Sequence, residues 1–485
     1  MDHGIGKTEF LFWFICLGLG IIAEETFFRG EIGISYIIFM IAFYSVFFWK
    51  FRKFPFTNQR LGYLVIICIW LLAASYFMNN NKFFNVLNIL VIPSLVMFHL
   101  LLVTAPKCLK WNKPRFIVYL FVMILDAIKY IFAFLGTGCK FLSQGIKEDK
   151  MIVWKKVLLG VLISIPVLFV VLNLLMNADS QFKSIIGGFP VWVENINPEI
   201  ILRIIIIFIC SFIFFGFLQV LLKKYILVTH PEMENSRFQL DSIIAVTVLV
   251  LLNAVYILFT VVQFKYFFSG TLQGDFTYAE YARRGFFELL FVTLINLTVT
   301  VIVIAFVKHV SKGLKRFSQI MLTILLLASG VMLSSAFLRL LMYEEAYGFT
   351  FTRVLVHSFM IYLVIIFAYT LIKIWLEKIS LFHFYFITSL IFYTCVNIVD
   401  LDRVVVDQNL TRYEETGKID LQYLNQLSNT GVLGLIHLYE KEPNLEGLKN
   451  ILQNRKNEAL SNNDPWQSYN LKKQQTYEEL IKLPF

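Results

Sequence analysis

Four ionisable side chains, Glu280, Arg283, Arg284 and Glu288, crowd one stretch, YAEYARRGFFEL (278–289), at the mouth of the apolar run 291–307. Charges are expensive at the entrance to so apolar a segment, so something must hold them. An arginine pair suits phosphate or carboxylate, because the guanidinium is a rigid fork that bonds such groups with two parallel hydrogen bonds. Similar residues recur near other apolar runs: Glu24, Glu25, Arg29 and Glu31; Arg203; Arg339, Glu344 and Glu345; Arg353 and His357; Asp400, Asp402 and Arg403. Arg284 and Glu288 stand four apart, as do Arg353 and His357, which is the spacing that brings side chains together on one helix face.

The candidate ligand-binding set is therefore Arg283, Arg284, Glu288, Arg339, Glu344, Arg353 and His357. Against it stands a purely structural role, in which interfacial arginines and glutamates pair and lock helix ends. Glu288 is the best single exception, since it lies a turn deeper than its neighbours. Asn253, Asn296 and Asn397 sit deep in apolar runs, where bonding between helices is the commoner use of asparagine.

Little else in the chain could carry a reaction. The seven histidines are scattered, with no HExxH, and His99, His357 and His383 read as hydrogen-bonded structural residues. Neither GxxxxGK[ST] nor GxSxG occurs. Cys16, Cys68, Cys108, Cys139, Cys210 and Cys395 form no CxxC and read as small apolar fillers. No catalytic residue, metal site or cofactor is expected.

The elements that must position these charges follow from composition. Of 485 residues 58% are hydrophobic and 16% charged, with mean hydropathy +0.70; soluble domains carry roughly 25% charged residues. The net charge of +10 fits basic loops between membrane spans better than a nucleic-acid surface, because no basic patch with stacking aromatics accompanies it. Apolar runs near 9–27, 32–49, 61–77, 83–105, 152–175, 200–222, 240–264, 286–307, 317–340, 353–375 and 381–399 predict about eleven spans. In 116–147, weakly polar positions at 126, 129, 133, 136, 140, 143 and 147 mark one helix face, predicting an amphipathic helix on the membrane surface rather than a span. Segment 177–199, with Pro190, Trp192 and Pro198, predicts an aromatic anchor at the opposite surface.

The expected organisation is four spans in 1–115, a cytoplasmic interfacial helix in 116–151, seven spans in 152–399, and a helical tail in 400–485. Lys50, Arg52, Lys53 and Arg60, then Lys107, Lys110, Lys113 and Arg115, then Lys308, Lys312, Lys315 and Arg316 all fall in loops of one side. The positive-inside rule makes that side cytoplasmic, with the amino terminus, and puts the tail outside. In the tail, Leu421, Leu424 and Leu427, then Leu445, Leu448, Ile451 and Leu452, recur at helical spacing between Gly431, Pro443 and Pro465.

Several segments carry a resemblance: NADSQF (177–182), YAEYARRGFFEL (278–289), LRLLMYEEAYGFTFTR (338–353) and DQNLTRYEETGKIDLQYLNQLS (407–428). They resemble an uncharacterised bacterial polytopic membrane family, DUF4153- or DUF4173-like, over roughly 152–470. The resemblance implies an inner-membrane protein with an extracytoplasmic helical tail, and no activity, substrate or cofactor. The fold expected is an all-α transmembrane bundle. Its expected partners are the lipid bilayer and an envelope ligand or membrane partner protein, the functional reading being a binding or sensing module with a charged outer vestibule. A secondary transporter of a polar solute is the alternative, and a transferase acting on a lipid-linked substrate a third.

Overall fold

The computed structural model describes residues 7–106, 109–142, 198–224, 239–268, 286–308 and 311–485, with scattered positions between 157 and 182. The expected span at 152–175 and the 177–199 segment lie almost wholly outside the described residues. So do Glu280, Arg283 and Arg284.

The fold is all-α. Its helices are α1 (Lys7–Phe27), α2 (Ile34–Lys50), α3 (Gln59–Met78), α4 (Lys82–Thr104), α5 (Pro114–Leu142), α6 (Pro198–Lys224), α7 (Ser242–Phe268), α8 (Phe286–Phe306), α9 (Lys312–Tyr347), α10 (Phe351–Trp375) and α11 (Leu381–Ile398). Ten helices among the described residues, α1 and α3 to α11, are long and apolar enough to cross a membrane. At 17 residues α2 sits at the lower bound of a span. The tail forms α12 (Leu401–Thr416), α13 (Leu421–Gln426), α14 (Asn429–Lys441), α15 (Leu448–Ser461) and α16 (Leu471–Lys482). One two-residue parallel bridge pairs Leu240–Asp241 with Val307–Lys308.

The chain divides into two compact units. The first holds residues 1–63, 96–229 and 464–468. Its axis is the antiparallel pair α1 and α6: Glu9 bonds Lys223 at 2.8 Å, Phe12 packs on Phe215, and Arg203 lies 3.6 Å from Glu24. Gly20 permits the close approach, for a Cβ there would stand 2.5 Å from the Ile207 carbonyl oxygen. Small residues serve this purpose in membrane helices, where backbone packing replaces the hydrophobic drive. α5 is one continuous helix over Pro114–Leu142, and it is itself among those long and apolar enough to cross. Phe134 of α5 packs on Phe10, Trp13 and Phe215, and Tyr130 accepts from Lys223, so these contacts fall at the Glu9–Lys223 end of the pair. Ile117, Phe121, Leu125, Ile128 and Phe132 form an exposed apolar stripe, while Lys129 is 79% exposed beside Asp126.

The second unit holds 64–95, 230–463 and 469–485. α9 is its centre, with α7, α8 and α10 packed around it over a core that includes Leu249, Leu325, Met332, Ala336 and Leu363. Local chemistry sets the helix ends. Ser311, Thr350, Ser380, Asp400, Asp420 and Asn470 each cap the helix that follows, accepting from a backbone N–H three residues on. Gly417 closes α12 in the left-handed conformation. Leu424, Leu448, Ile451 and Leu452 of the tail pattern are buried in the tail's own core.

α9 runs 36 residues, roughly 54 Å at 1.5 Å per residue, against a hydrocarbon layer of about 30 Å. It overhangs at both ends. At one, Lys315 pairs with Glu377, Arg316 stacks over Trp375 at 4.6 Å, and Gln319 donates to the Ile374 carbonyl. At the other, Arg339, Glu344 and Glu345 stay on the helix.

Candidate functional site

The site is the end of the second unit where α9 stops and α10 starts. The turn 348–350 joins them, with Gly348 at φ 84°. A Cβ there would lie 2.8 Å from Asn409 Oδ1, so glycine answers both the dihedral and the space.

Glu344 is fully buried on the last turns of α9. His357, two turns into α10, brings Nδ1 to 3.3 Å from Glu344 Oε2, with Phe337 packed on the imidazole at 4.6 Å. Neither Glu344 oxygen takes a hydrogen bond, and His357 Nε2 has no partner, among the described residues. Arg353 donates to the Gly348 carbonyl and lies 4.1 Å over the Tyr343 ring. Its i,i+4 neighbour His357 thus faces α9. Arg339 is buried, whereas Glu288 is exposed in the first turn of α8. Five of the seven expected residues are therefore gathered at one end of one unit; Arg283 and Arg284 lie outside the described residues.

Two clefts flank the start of α8. One, of about 180 Å³, is lined by Phe286, Tyr343, Arg353 and Val356, among others. The other, of about 280 Å³, is lined by Val255, Phe259, Glu288, Met332 and Arg339, among others.

The tail grips this end, a feature the sequence reading missed. Asn409 of α12 holds both backbone groups of Phe349: its side-chain amide donates to the Phe349 carbonyl at 2.8 Å and its oxygen accepts the Phe349 N–H at 3.0 Å. Arg412 donates to the carbonyls of Glu345 and Ala346 at 3.2 and 2.9 Å. The Tyr423 hydroxyl accepts from Phe351 N at 2.8 Å. Below, Val354, Val396, Leu401 and Val405 form an apolar cluster with Phe84. The signal was present in the segments 338–353 and 407–428, but pairing them required a contact across sixty residues.

Beside the latch, Asp402 accepts from Asn81 at 3.1 Å. Burial pushes its carboxyl above the ordinary aspartate range; a hydrogen bond from Ser428 opposes this and the nearby Asp400 adds to it. Lys472 pairs with Asp400 at 3.1 Å, and the Thr430 hydroxyl donates to it at 2.8 Å.

The deep asparagines bond between helices. Asn253 donates to the Met321 carbonyl at 2.8 Å, Asn296 to Ser329 Oγ at 2.9 Å, and Asn88 to Asn397 Oδ1 at 2.8 Å. His99 Nδ1 and the Tyr44 hydroxyl share a hydrogen bond at 3.1 Å in the first unit. That unit has its own charge cluster: buried Glu24 sits between Arg29 at 3.5 Å and Arg203 at 3.6 Å, and Glu25 binds Arg29 and the Gln467 amide, each at 2.8 Å. Its charges are paired with one another, the structural use of interfacial charge, while Glu24 Oε1 and Gln467 Oε1 take no hydrogen bond among the described residues. No group of three or more metal-ligating side chains occurs among the described residues.

Searches of curated proteins and of solved structures returned no match. A family model described as a domain of unknown function, DUF4153, matches residues 66–438, more than half of the chain and the whole of the α9–α10 turn with its latch on α12. This multi-pass membrane chain belongs to the DUF4153 family.

Proposed function

We propose that this is a bacterial plasma-membrane protein whose charged end faces outward and binds a polar or anionic envelope ligand, with the tail as the element that responds. The observation carrying this reading is the Glu344–His357 pair. A fully buried carboxylate whose oxygens lack hydrogen bonds is costly, and here it lies beneath the turn that the tail grips. Arg339, Arg353 and Glu288 surround the same end. A ligand captured there would act on the turn, and through Asn409 and Arg412 on α12.

The orientation rests on charge. Lys312, Lys315, Arg316, Lys373 and Lys378 crowd the opposite end of α9 and α10, and the positive-inside rule supports reading that end as cytoplasmic. Applied to its own flanking Lys110 and Lys113, the same rule favours the cytoplasmic surface for α5. If it crossed instead, the exposed Lys129 ammonium would face lipid at mid-depth, at a cost of about 2.5–3.5 kcal/mol or more. Transport is the weaker reading, since the deep asparagines already bond to neighbouring helices, Asn253 and Asn296 to α9 and Asn397 to α4.

The test is thermal unfolding of the purified full-length protein in detergent with inorganic phosphate or citrate titrated in. A ligand at a hundredfold over its Kd stabilises by about 2.7 kcal/mol. The expected result is a saturable rise in Tm that Arg353→Gln removes. A rise of the same size in Arg353→Gln, or none in the wild type with either anion, overturns the reading for anionic ligands.

A further inference from the structure

The two clefts at the start of α8 differ in what their arginine has left to give. In the larger, Arg339 is buried. The smaller carries Arg353, and no carboxylate lines it. Arg353 Cζ stands 4.1 Å over the Tyr343 ring, and Nη1 donates to the Gly348 carbonyl. Arg353 makes no ion pair among the described residues, and its Nε and Nη2 neither bond an acceptor there nor are sealed from the surface. Those two nitrogens form one edge of the guanidinium, an edge that can hold two phosphate oxygens side by side. The remaining walls are mainly apolar, Phe286, Phe287, Leu340 and Val356, with exposed Thr352 at the rim. Phe287 is 66% exposed and shares the outward apolar surface of α8 with Phe291, 67% exposed one turn on, so the cleft opens sideways toward hydrocarbon.

We infer that this cleft takes the head of an anionic phospholipid, its phosphate on the Nε–Nη2 edge of Arg353 and its acyl chains leaving past Phe287. What enters from the side comes from the bilayer. About 180 Å³ falls below the roughly 300–1,000 Å³ of drug-sized pockets, which suits a head group and leaves the chains in the membrane. Arg353 stands in the first turn of α10, at the end of a span and so at headgroup depth. A guanidinium without a counter-ion complements a head of net negative charge, whereas a zwitterionic head would bring its ammonium toward the same cation. A soluble phosphate would gain the arginine edge and nothing from Phe287. This names the ligand class for one part of the charged end and rests on that end being an anion-binding surface.

The experiment titrates dioctanoyl phosphatidylglycerol, dioctanoyl phosphatidylcholine or inorganic phosphate into the purified full-length protein in detergent and reads Tm. The glycerol lipid should raise Tm more than the choline lipid. Arg353→Gln should raise the glycerol lipid's half-saturating concentration about tenfold or more, the loss of a hydrogen-bonded charge contact. Phe287→Ser, at an exposed position that keeps the arginine, should reduce the rise with the glycerol lipid and leave the rise with phosphate unchanged. Equal rises with the two lipids in the wild type, or a preference that survives Arg353→Gln, overturn the assignment. A rise with phosphate but none with the glycerol lipid, or lipid and phosphate responses both untouched by Phe287→Ser, overturns the lipid while leaving an anion-binding surface. No rise with either lipid, phosphate or citrate ends both readings.

Discussion

Asn409→Ala is the cleanest way to loosen the tail without touching the buried charges. The side chain makes two hydrogen bonds to Phe349, at 2.8 and 3.0 Å, from a half-buried position. Each such bond contributes about 1 kcal/mol net, so the latch should weaken by roughly 2 kcal/mol. At 1.4 kcal/mol per tenfold, the population with the turn released should rise roughly thirtyfold. Hydrogen exchange in detergent reads this directly: the amides of 349–351 should exchange faster by about that factor, while those of the tail core around Leu448–Leu452 keep their protection. Arg412 and Tyr423 still hold the turn in the variant, so global unfolding should change less than local exchange. Unchanged exchange at 349–351 would refute the latch. Equal acceleration throughout the tail would show that Asn409 stabilises the bundle rather than its docking.

Two further perturbations test the packing and the electrostatics. Gly20→Ala should destabilise the first unit by about 1–3 kcal/mol, the cost of overpacking, because its Cβ meets the Ile207 carbonyl; Gly18→Ala, where nothing lies within 4 Å, should be neutral or stabilising by thermal unfolding. Asp402 carries a folded-state pKa raised chiefly by burial. The folded protein therefore keeps a proton that the unfolded chain has released, and stability should fall as pH rises from the ordinary aspartate value through the raised one. In Asp402→Asn, that part of the Tm-against-pH curve should flatten and neutral-pH stability should rise; an unchanged slope would contradict the assignment.

Helix positions were legible because membrane helices announce themselves by length and apolarity. The expected 83–105 and 353–375 differ by at most two residues from α4 and α10. The caps Thr350 and Asp400 went unread, although a cap is a local event. The expected 317–340 fell short of α9, because hydropathy ends where charges begin while the helix continues. That overhang is why Glu344, which looked like a residue at an outer span end, is buried. The clip between Asn409 and Phe349 and the cluster of Glu24 with Arg203 depend on pairings that no periodicity reveals. The asparagines fell between these cases: their depth pointed to bonding between helices, and only the fold supplied Ser329 and Asn88 as partners.

The central claim is that the charged end, with its tail, faces away from the cytoplasm. Single cysteines at two exposed positions test it in a background lacking the six native ones: Ser311→Cys at the basic end of α9, and Glu415→Cys in α12. Intact cells are treated with a membrane-impermeant thiol reagent. Labelling of the Glu415→Cys protein in intact cells, with the Ser311→Cys protein labelled only after permeabilisation, is the predicted result. The reverse pattern would put Glu344, His357 and the latch in the cytoplasm and contradict an envelope ligand.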